Sequence, residues 1–343
     1  MNPGYSASSK AGTTTPSVIF RIPATTANLG PGFDLFGLAL SLYNTIKFDF
    51  TSDANYELVD LQNQPLSIAP ADNLIRIAYE HMYKKLGQQN PPHWRAVVDA
   101  ATMPGKGFGS SAMAIVAGVH LAWALHQHGS VENLTESIRA QTTKSGAMQT
   151  WLHPETHPDE IQGFLDLEPH PDNVVPARVG GWVFCSEPHT VLRHNLPDSL
   201  GLAVVIPDYS ISTEVSRMSL PASILRNDAI SNIRGCLLWL EYIYSKEPNL
   251  LKQALQSDRL HEPYRTPGIA GYNALKEAAI HEGFFGMTLS GSGPGMILYF
   301  DRSLQKQLEA RLHELILEHI GQNTLVKFCT PDPHGLVYLT SMS

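Results

Sequence analysis

The chain has 343 residues, a length that suggests two domains at roughly 150 residues each, with a cleft between them. An apolar content of 43% is ordinary for a globular protein, and no apolar run reaches the roughly 18 to 20 residues of a membrane helix, so no membrane partner is expected. A net charge of -8 without a long basic block argues against a nucleic-acid partner, and three widely spaced cysteines, Cys185, Cys236 and Cys329, argue against a disulfide framework and for a reducing, cytoplasmic compartment.

Residues 1–17 are rich in Ser, Thr and Gly and read as a disordered tail without the apolar stretch of a secretory signal. Val18 to Ile22 reads as a strand running into the turn-formers Ala24 to Gly32. Thr45 to Phe50 and Trp94 to Val98 alternate as strands, and Asn73 to Leu86 has apolar residues at helical spacing behind an Asp72 or Asn73 cap. A glycine loop, Met103 to Gly109, leads into an amphipathic helix over Ser110 to His126.

Thr142 to Asn173, crowded with Pro, His, Asp and Glu, reads as an irregular connection, followed by an apolar segment over Ala177 to Phe184. His153 and His157 have the spacing of a helical metal pair, but Pro154 and Pro158 break such a helix. A polar stretch from Glu187 to Leu200 marks the expected boundary between domains at 18–190 and 191–343. Beyond it, Gly201 to Ile206 reads as a buried strand, Ile224 to Tyr244, Leu250 to Leu260 and Leu304 to Ile320 as helices. Met287 to Leu289 and Met296 to Phe300 flank a second glycine-rich turn.

The strongest chemical signal is Gly105-Lys106-Gly107-Phe108-Gly109-Ser110-Ser111. Glycines let the backbone approach an anion, and the amides and dipole of the following helix favour negative charge, so the loop suits phosphate. A glycine turn with an ordinary serine cap would look the same locally. The spacing excludes a P-loop, because Gly107 follows Lys106 where Ser or Thr is required, and it fits a dinucleotide fingerprint poorly.

Three blocks in order, Pro23 to Asp34, Gly105 to Ala112 and Leu289 to Gly295, resemble the three motifs of the GHMP kinases. His170-Pro171-Asp172-Asn173, Ile211 to Glu214 and Asp258 to Arg265 narrow the resemblance to the homoserine kinases, over about Ile22 to Leu298. The resemblance implies an α+β, two-lobed fold, with a ribosomal S5 domain 2-like first lobe containing a left-handed βαβ unit, a ferredoxin-like second lobe, and a homodimer. It implies ATP-dependent phosphorylation of L-homoserine, a step toward threonine. The alternatives are a kinase for another small hydroxylated acid and a non-catalytic ligand sensor of the same fold.

Carried over residue by residue, the resemblance puts ATP on Gly105, Lys106, Gly107, Phe108, Gly109, Ser110 and Ser111, bordered by Gly291, Ser292 and Gly293. It implies that Arg217 and Arg265 hold the substrate carboxylate, with Asn28, Asp34, His170, Asn173 and Thr213 around the ammonium and hydroxyl. Asn28, Asn173 and Arg217 are the expected catalytic set. Phosphoryl transfer through a loose transition state needs positioning more than a strong base, and Asp172 is the weaker candidate beside Asn173 because adjacent residues seldom point the same way. For Mg²⁺ the resemblance implies Ser111 and a glutamate, which is Glu168, two residues before His170, or is replaced by Gln162, eight residues before it.

Overall fold

The computed structural model describes residues 16–51, 56–101, 104–145, 158–186 and 190–342. Expectations that fall on the N-terminal tail before residue 16, on His153 and His157, and on 187–189 lie outside the described residues.

The first sheet is built on β1 (Ser17–Ala27) and the long β2 (Phe36–Phe50), paired antiparallel with a register shift between Pro23 and Ala24. β3 (Glu57–Val59) and β4 (Trp94–Asp99) extend one edge, β4 pairing with the second half of β2. The first half of β2 pairs with β5 (Trp182–Ser186), which forms a hairpin with β6 (Thr190–His194). Strand β1 runs to Ala27, where turn-formers suggested a loop, because the chain crosses the motif while still paired to β2.

Helices cover this sheet. α1 (Leu74–Lys85) starts at Asn73, whose side chain caps the Arg76 amide, and it packs against α2 (Ser110–His128). α2 was expected to be amphipathic, yet almost every residue from Ala112 to Leu125 is buried. It lies between β1 and the helices α1, α4 (Pro158–Leu165) and α5 (Pro171–Val179), so it has no face for solvent. α3 (Val131–Ser145) follows it. α4 and α5 occupy much of the stretch expected to be irregular. Pro158 and Pro171 stand at their first positions, where the missing N–H costs nothing and the fixed φ suits a helix.

A buried polar network ties these helices to the C-terminus. Arg178 donates to both oxygens of Glu160 at 2.7 and 3.2 Å, and His120 bridges Glu160 at 2.7 Å to the Tyr338 hydroxyl at 2.9 Å. Burial works against ionisation of Glu160, but the Arg178 and His120 charges win and hold its carboxyl down at about 2.

The second sheet has four antiparallel strands in the order β10 (Thr324–Cys329), β7 (Leu200–Pro207), β9 (Met296–Asp301), β8 (Gly286–Leu289). Numbered along the chain that order is 4-1-3-2, with helices connecting β7 to β8 and β9 to β10, which is the ferredoxin-like arrangement. The connecting helices are α6 (Thr213–Met218), α7 (Arg226–Ser245), α8 (Pro248–Ala254), α9 (Glu262–Arg265) and α10 (Tyr272–His281), then α11 (Gln305–His319) between β9 and β10. The expected helix over Leu250 to Leu260 ends at Ala254, and the chain turns to form α9.

The expected division after residue 190 falls inside the β5–β6 hairpin, and β11 (Val337–Leu339) returns to the first sheet to pair with β1. One hydrophobic cluster spans both layers, with Phe36, Leu38 and Trp182 of the first sheet packed together with Leu202, Val204 and Trp239. No helix among the described residues is long and apolar enough to cross a membrane.

Candidate active site

The three motif blocks converge on one cleft that opens to solvent. After β1 the chain reverses through Asn28, Leu29 and Gly30, all at positive φ. Asn28 fixes the turn, with its Oδ1 accepting from the Asp34 amide at 3.0 Å and its Nδ2 donating to the Gly291 carbonyl at 3.0 Å. Both ends of this carboxamide therefore hold backbone, so Asn28 joins the first block to the third.

The glycine loop is shaped by what it passes. Gly107 has φ +85°, and a Cβ there would lie 2.2 Å from the Ser290 carbonyl oxygen, so no other residue fits without displacing the third block. The Ser290 hydroxyl donates to the Gly107 carbonyl at 2.6 Å and pairs with the Thr26 hydroxyl at 2.8 Å, stitching all three blocks together. Gly109, also left-handed, stands at the N-cap of α2, so the first-turn amides of a 19-residue helix open onto the cleft beside Ser110 and Ser111.

Of the expected nucleotide residues, Gly105, Gly107, Phe108, Gly109, Ser110, Ser111, Gly291 and Ser292 line the cleft. Lys106 and Gly293 do not. The Lys106 side chain is buried and donates to the Pro207 and Tyr209 carbonyls at 2.9 and 2.8 Å, which ties the loop to the end of β7 and turns the ammonium away from the cleft. Gly293 gives its amide to Ser290 and supports the turn from behind.

The N-terminus of α5 forms the opposite wall. Asn173 Oδ1 accepts from the Thr25 hydroxyl at 2.8 Å, leaving the amino group as the donor for the cleft. Glu168 lines the cleft with Ser111, and its Oε1 accepts from the His170 amide at 3.1 Å and meets His170 Nδ1 at 2.9 Å. Gln162 is turned elsewhere, its amide donating to Asp166 at 2.9 Å.

Asp172 and Asn173 both line the cleft, against the expectation that neighbours diverge. They occupy the first turn of a helix that points its end at the cleft, so a rotation of about 100° per residue keeps both in reach. Asp172 is buried, and burial, then the nearby Asp34 and Glu168 charges, push its carboxyl up to about 7 in spite of Arg217.

The cationic side comes from α6 and α9. Arg217 grips Asp34 with both terminal nitrogens, at 2.9 and 3.3 Å, and both side chains are about one-third exposed. Arg265 is almost fully buried, lies over the Phe33 ring at 5.1 Å, and donates to the Gly291 and Ser216 carbonyls at 3.1 and 3.4 Å. Among the described residues it has no carboxylate within ion-pair distance. Burial and then the Arg217 charge lower its pKa. Thr213 meets Ser292 at 3.3 Å beside this pair. Thr25 and Ser216 place Asn173 and Arg265, roles that the sequence does not assign to them because the partners lie 148 and 49 residues away.

The cleft thus offers helix-terminal amides and glycines at one end, a buried guanidinium with an Asp–Arg pair at the other, and carboxylates between. Curated relatives about one-third identical to this chain are homoserine kinases. That from Microchaete diplosiphon is 33% identical over 331 residues, covering 93% of this chain and 96% of its own length. This chain belongs to the homoserine kinase family. The homoserine kinase structure from Cytophaga hutchinsonii superposes with a TM-score of 0.75 at 21% identity, covering 98% of this chain and 100% of that one. The mevalonate kinase structure from Methanococcus jannaschii, at 13% identity and a TM-score of 0.62, covers 91% of this chain and 98% of that one, which extends the shared fold to the wider GHMP kinases. No protein-family model matches the chain.

Proposed function

We propose that this chain transfers the γ-phosphoryl group of ATP to the side-chain hydroxyl of L-homoserine, giving ADP and O-phospho-L-homoserine. The observation that carries the reading is the buried Arg265, a cation with no carboxylate at ion-pair distance among the described residues, lining the same cleft as the Gly107–Ser111 loop. A desolvated guanidinium stabilises a ligand carboxylate strongly, because charge-assisted bonds gain in a low-dielectric site. The Arg217–Asp34 pair beside it completes a receptor for a zwitterion. Asp34 takes the ammonium, Arg217 turns to the carboxylate, and the net charge of the site is unchanged.

The glycine loop and the first turn of α2 hold the phosphates, and the substrate hydroxyl lies near Asn173 and Asp172. Alignment of the two substrates supplies most of the rate, as a loose transition state needs positioning and charge neutralisation more than a strong base. Asp172, with a carboxyl near neutrality, takes the hydroxyl proton as the new O–P bond forms.

Magnesium fits this donor set. Ser111 and Glu168 present hard oxygens to one cleft, and Glu168 Oε2 has no protein donor among the described residues, whereas Gln162 is turned away. When bound there, the ion would neutralise charge on the phosphates. Three free cysteines suit the cytoplasm, and the enzyme acts as a homodimer.

The test follows ADP release from ATP and Mg²⁺ with L-homoserine, L-serine, L-threonine or mevalonate as acceptor. Turnover selective for homoserine is expected. Preference for mevalonate would refute the zwitterion receptor, and ligand-dependent thermal stabilisation without turnover would refute the enzyme.

A further inference from the structure

Helix α7 buries one face against the first motif block. Asn232 donates to the Pro31 carbonyl at 3.0 Å and Trp239 to the Leu29 carbonyl at 3.0 Å. Its opposite face carries Ile230, Ile233, Leu237 and Tyr244, which are 45%, 61%, 61% and 69% exposed. At about 100° per residue, positions 226, 230, 233, 237, 241 and 244 fall within an arc of about 80°, so they form one stripe along a helix about 30 Å long. Isolated apolar side chains on a surface need no partner, but a contiguous stripe of this length marks an interface. At one end the His194 ring lies 5.6 Å from that of Tyr244, and the four apolar side chains nonetheless stay exposed.

The charges at its ends identify the occupant. Arg226 and Glu241 are exposed and form no ion pair among the described residues. We propose that the stripe is covered by the same stripe of a second copy, with the two α7 helices antiparallel about a two-fold axis crossing between Ile233 and Arg234. In that register Arg226 of each copy stands opposite Glu241 of the other, Ile230 stands opposite Leu237, and the two Ile233 side chains meet beside the axis. A self-complementary patch of this kind is what a closed two-fold dimer requires. Arg234 lies on the flank, where its stem covers apolar surface and its charge reaches water. A stripe bordered by mixed charge does not suit an anionic membrane, which selects a basic polar face. Because α7 also holds Leu29 and Pro31, the pairing braces the turn that carries Asn28 and Asp34.

The inference rests on the homodimer proposed above, and sedimentation velocity with light scattering tests both. The parent chain is expected to be dimeric at micromolar concentration. Ile233→Asp is expected to be monomeric there, with its thermal stabilisation by ATP as proof of folding. Arg226→Glu and Glu241→Arg alone should each weaken the dimer tenfold or more, and the double reversal should restore it to within about threefold. A dimer that persists in Ile233→Asp overturns the surface and leaves the homodimer standing. Failure of the double reversal to restore association overturns the register, and a monomeric parent chain overturns both proposals.

Discussion

Replacing Asp172 by asparagine separates the cost of a buried carboxylate from its use. Its pKa stands at about 7 against an ordinary 3.8, a difference of about three pH units, which corresponds to at most about 4 kcal/mol. The sign follows from proton counting. Between pH 4 and 7 the folded chain keeps a proton on Asp172 that the unfolded chain has lost, so stability falls as pH rises through this window and is lowest above it. A neutral carboxamide at this position carries no such penalty. In the absence of nucleotide and with EDTA present, Asp172→Asn should therefore be more stable than the parent at pH 8, by several degrees in Tm, with the advantage gone by pH 4 to 5. Activity should move the other way. The parent kcat/KM should climb through about pH 7 as the carboxylate ionises, and the variant should lose about 100-fold at pH 8 and show a flat profile. A stability difference that is the same at pH 5 and pH 8 would refute the buried-charge argument. A variant that keeps the parent's rate and profile would refute the proton-accepting role.

Arg265→Met should raise KM for homoserine about 10- to 150-fold, the worth of a charge-assisted hydrogen bond, while KM for ATP stays within about twofold; Arg265→Lys should recover only part, since it lacks the planar fork. Glu168→Gln should raise the Mg²⁺ concentration needed for half-maximal rate, and Gln162→Ala should leave it unchanged in the same titration. Gly107→Ala forces a Cβ onto the Ser290 carbonyl and a strained φ, so a loss of about 1 to 3 kcal/mol in denaturant unfolding is expected, together with weaker ATP binding. Glu160→Gln leaves Arg178 buried without its carboxylate and should cost about 3 to 5 kcal/mol at pH 7. The parent should lose this contribution only as pH falls from about 4.5 toward 2, because the native carboxyl is held low.

Much of the site was legible in the sequence because its chemistry sits in short, contiguous blocks. Gly105 to Ser111 could be read as a candidate phosphate loop from the residues themselves, since glycine takes the left-handed backbone readily and a helix start offers free amides to an anion. The alternation of β4 and the spacing of α1 are likewise local properties, and their positions follow from the chain alone. The stretch from Thr142 to Asn173 reads as irregular because it is crowded with proline and polar residues, yet Pro158 and Pro171 each open a helix there. The rest depended on contacts between residues far apart in the chain. Lys106 has the composition of a phosphate ligand, but the Pro207 and Tyr209 carbonyls, 101 and 103 residues away at and just past the end of β7, take its charge. Arg265 has the composition of a surface cation, but Phe33, Ser216 and Gly291 surround it, with no carboxylate at ion-pair distance among the described residues. Asp172 has an ordinary carboxyl in the unfolded chain, and only burial in the folded chain, with the Asp34 and Glu168 charges nearby, moves its pKa toward neutrality. Sequence determined which groups were available and which backbone shapes they could take. Only the tertiary structure decided which of them lost water, because desolvation is set by what the rest of the chain lays over a side chain.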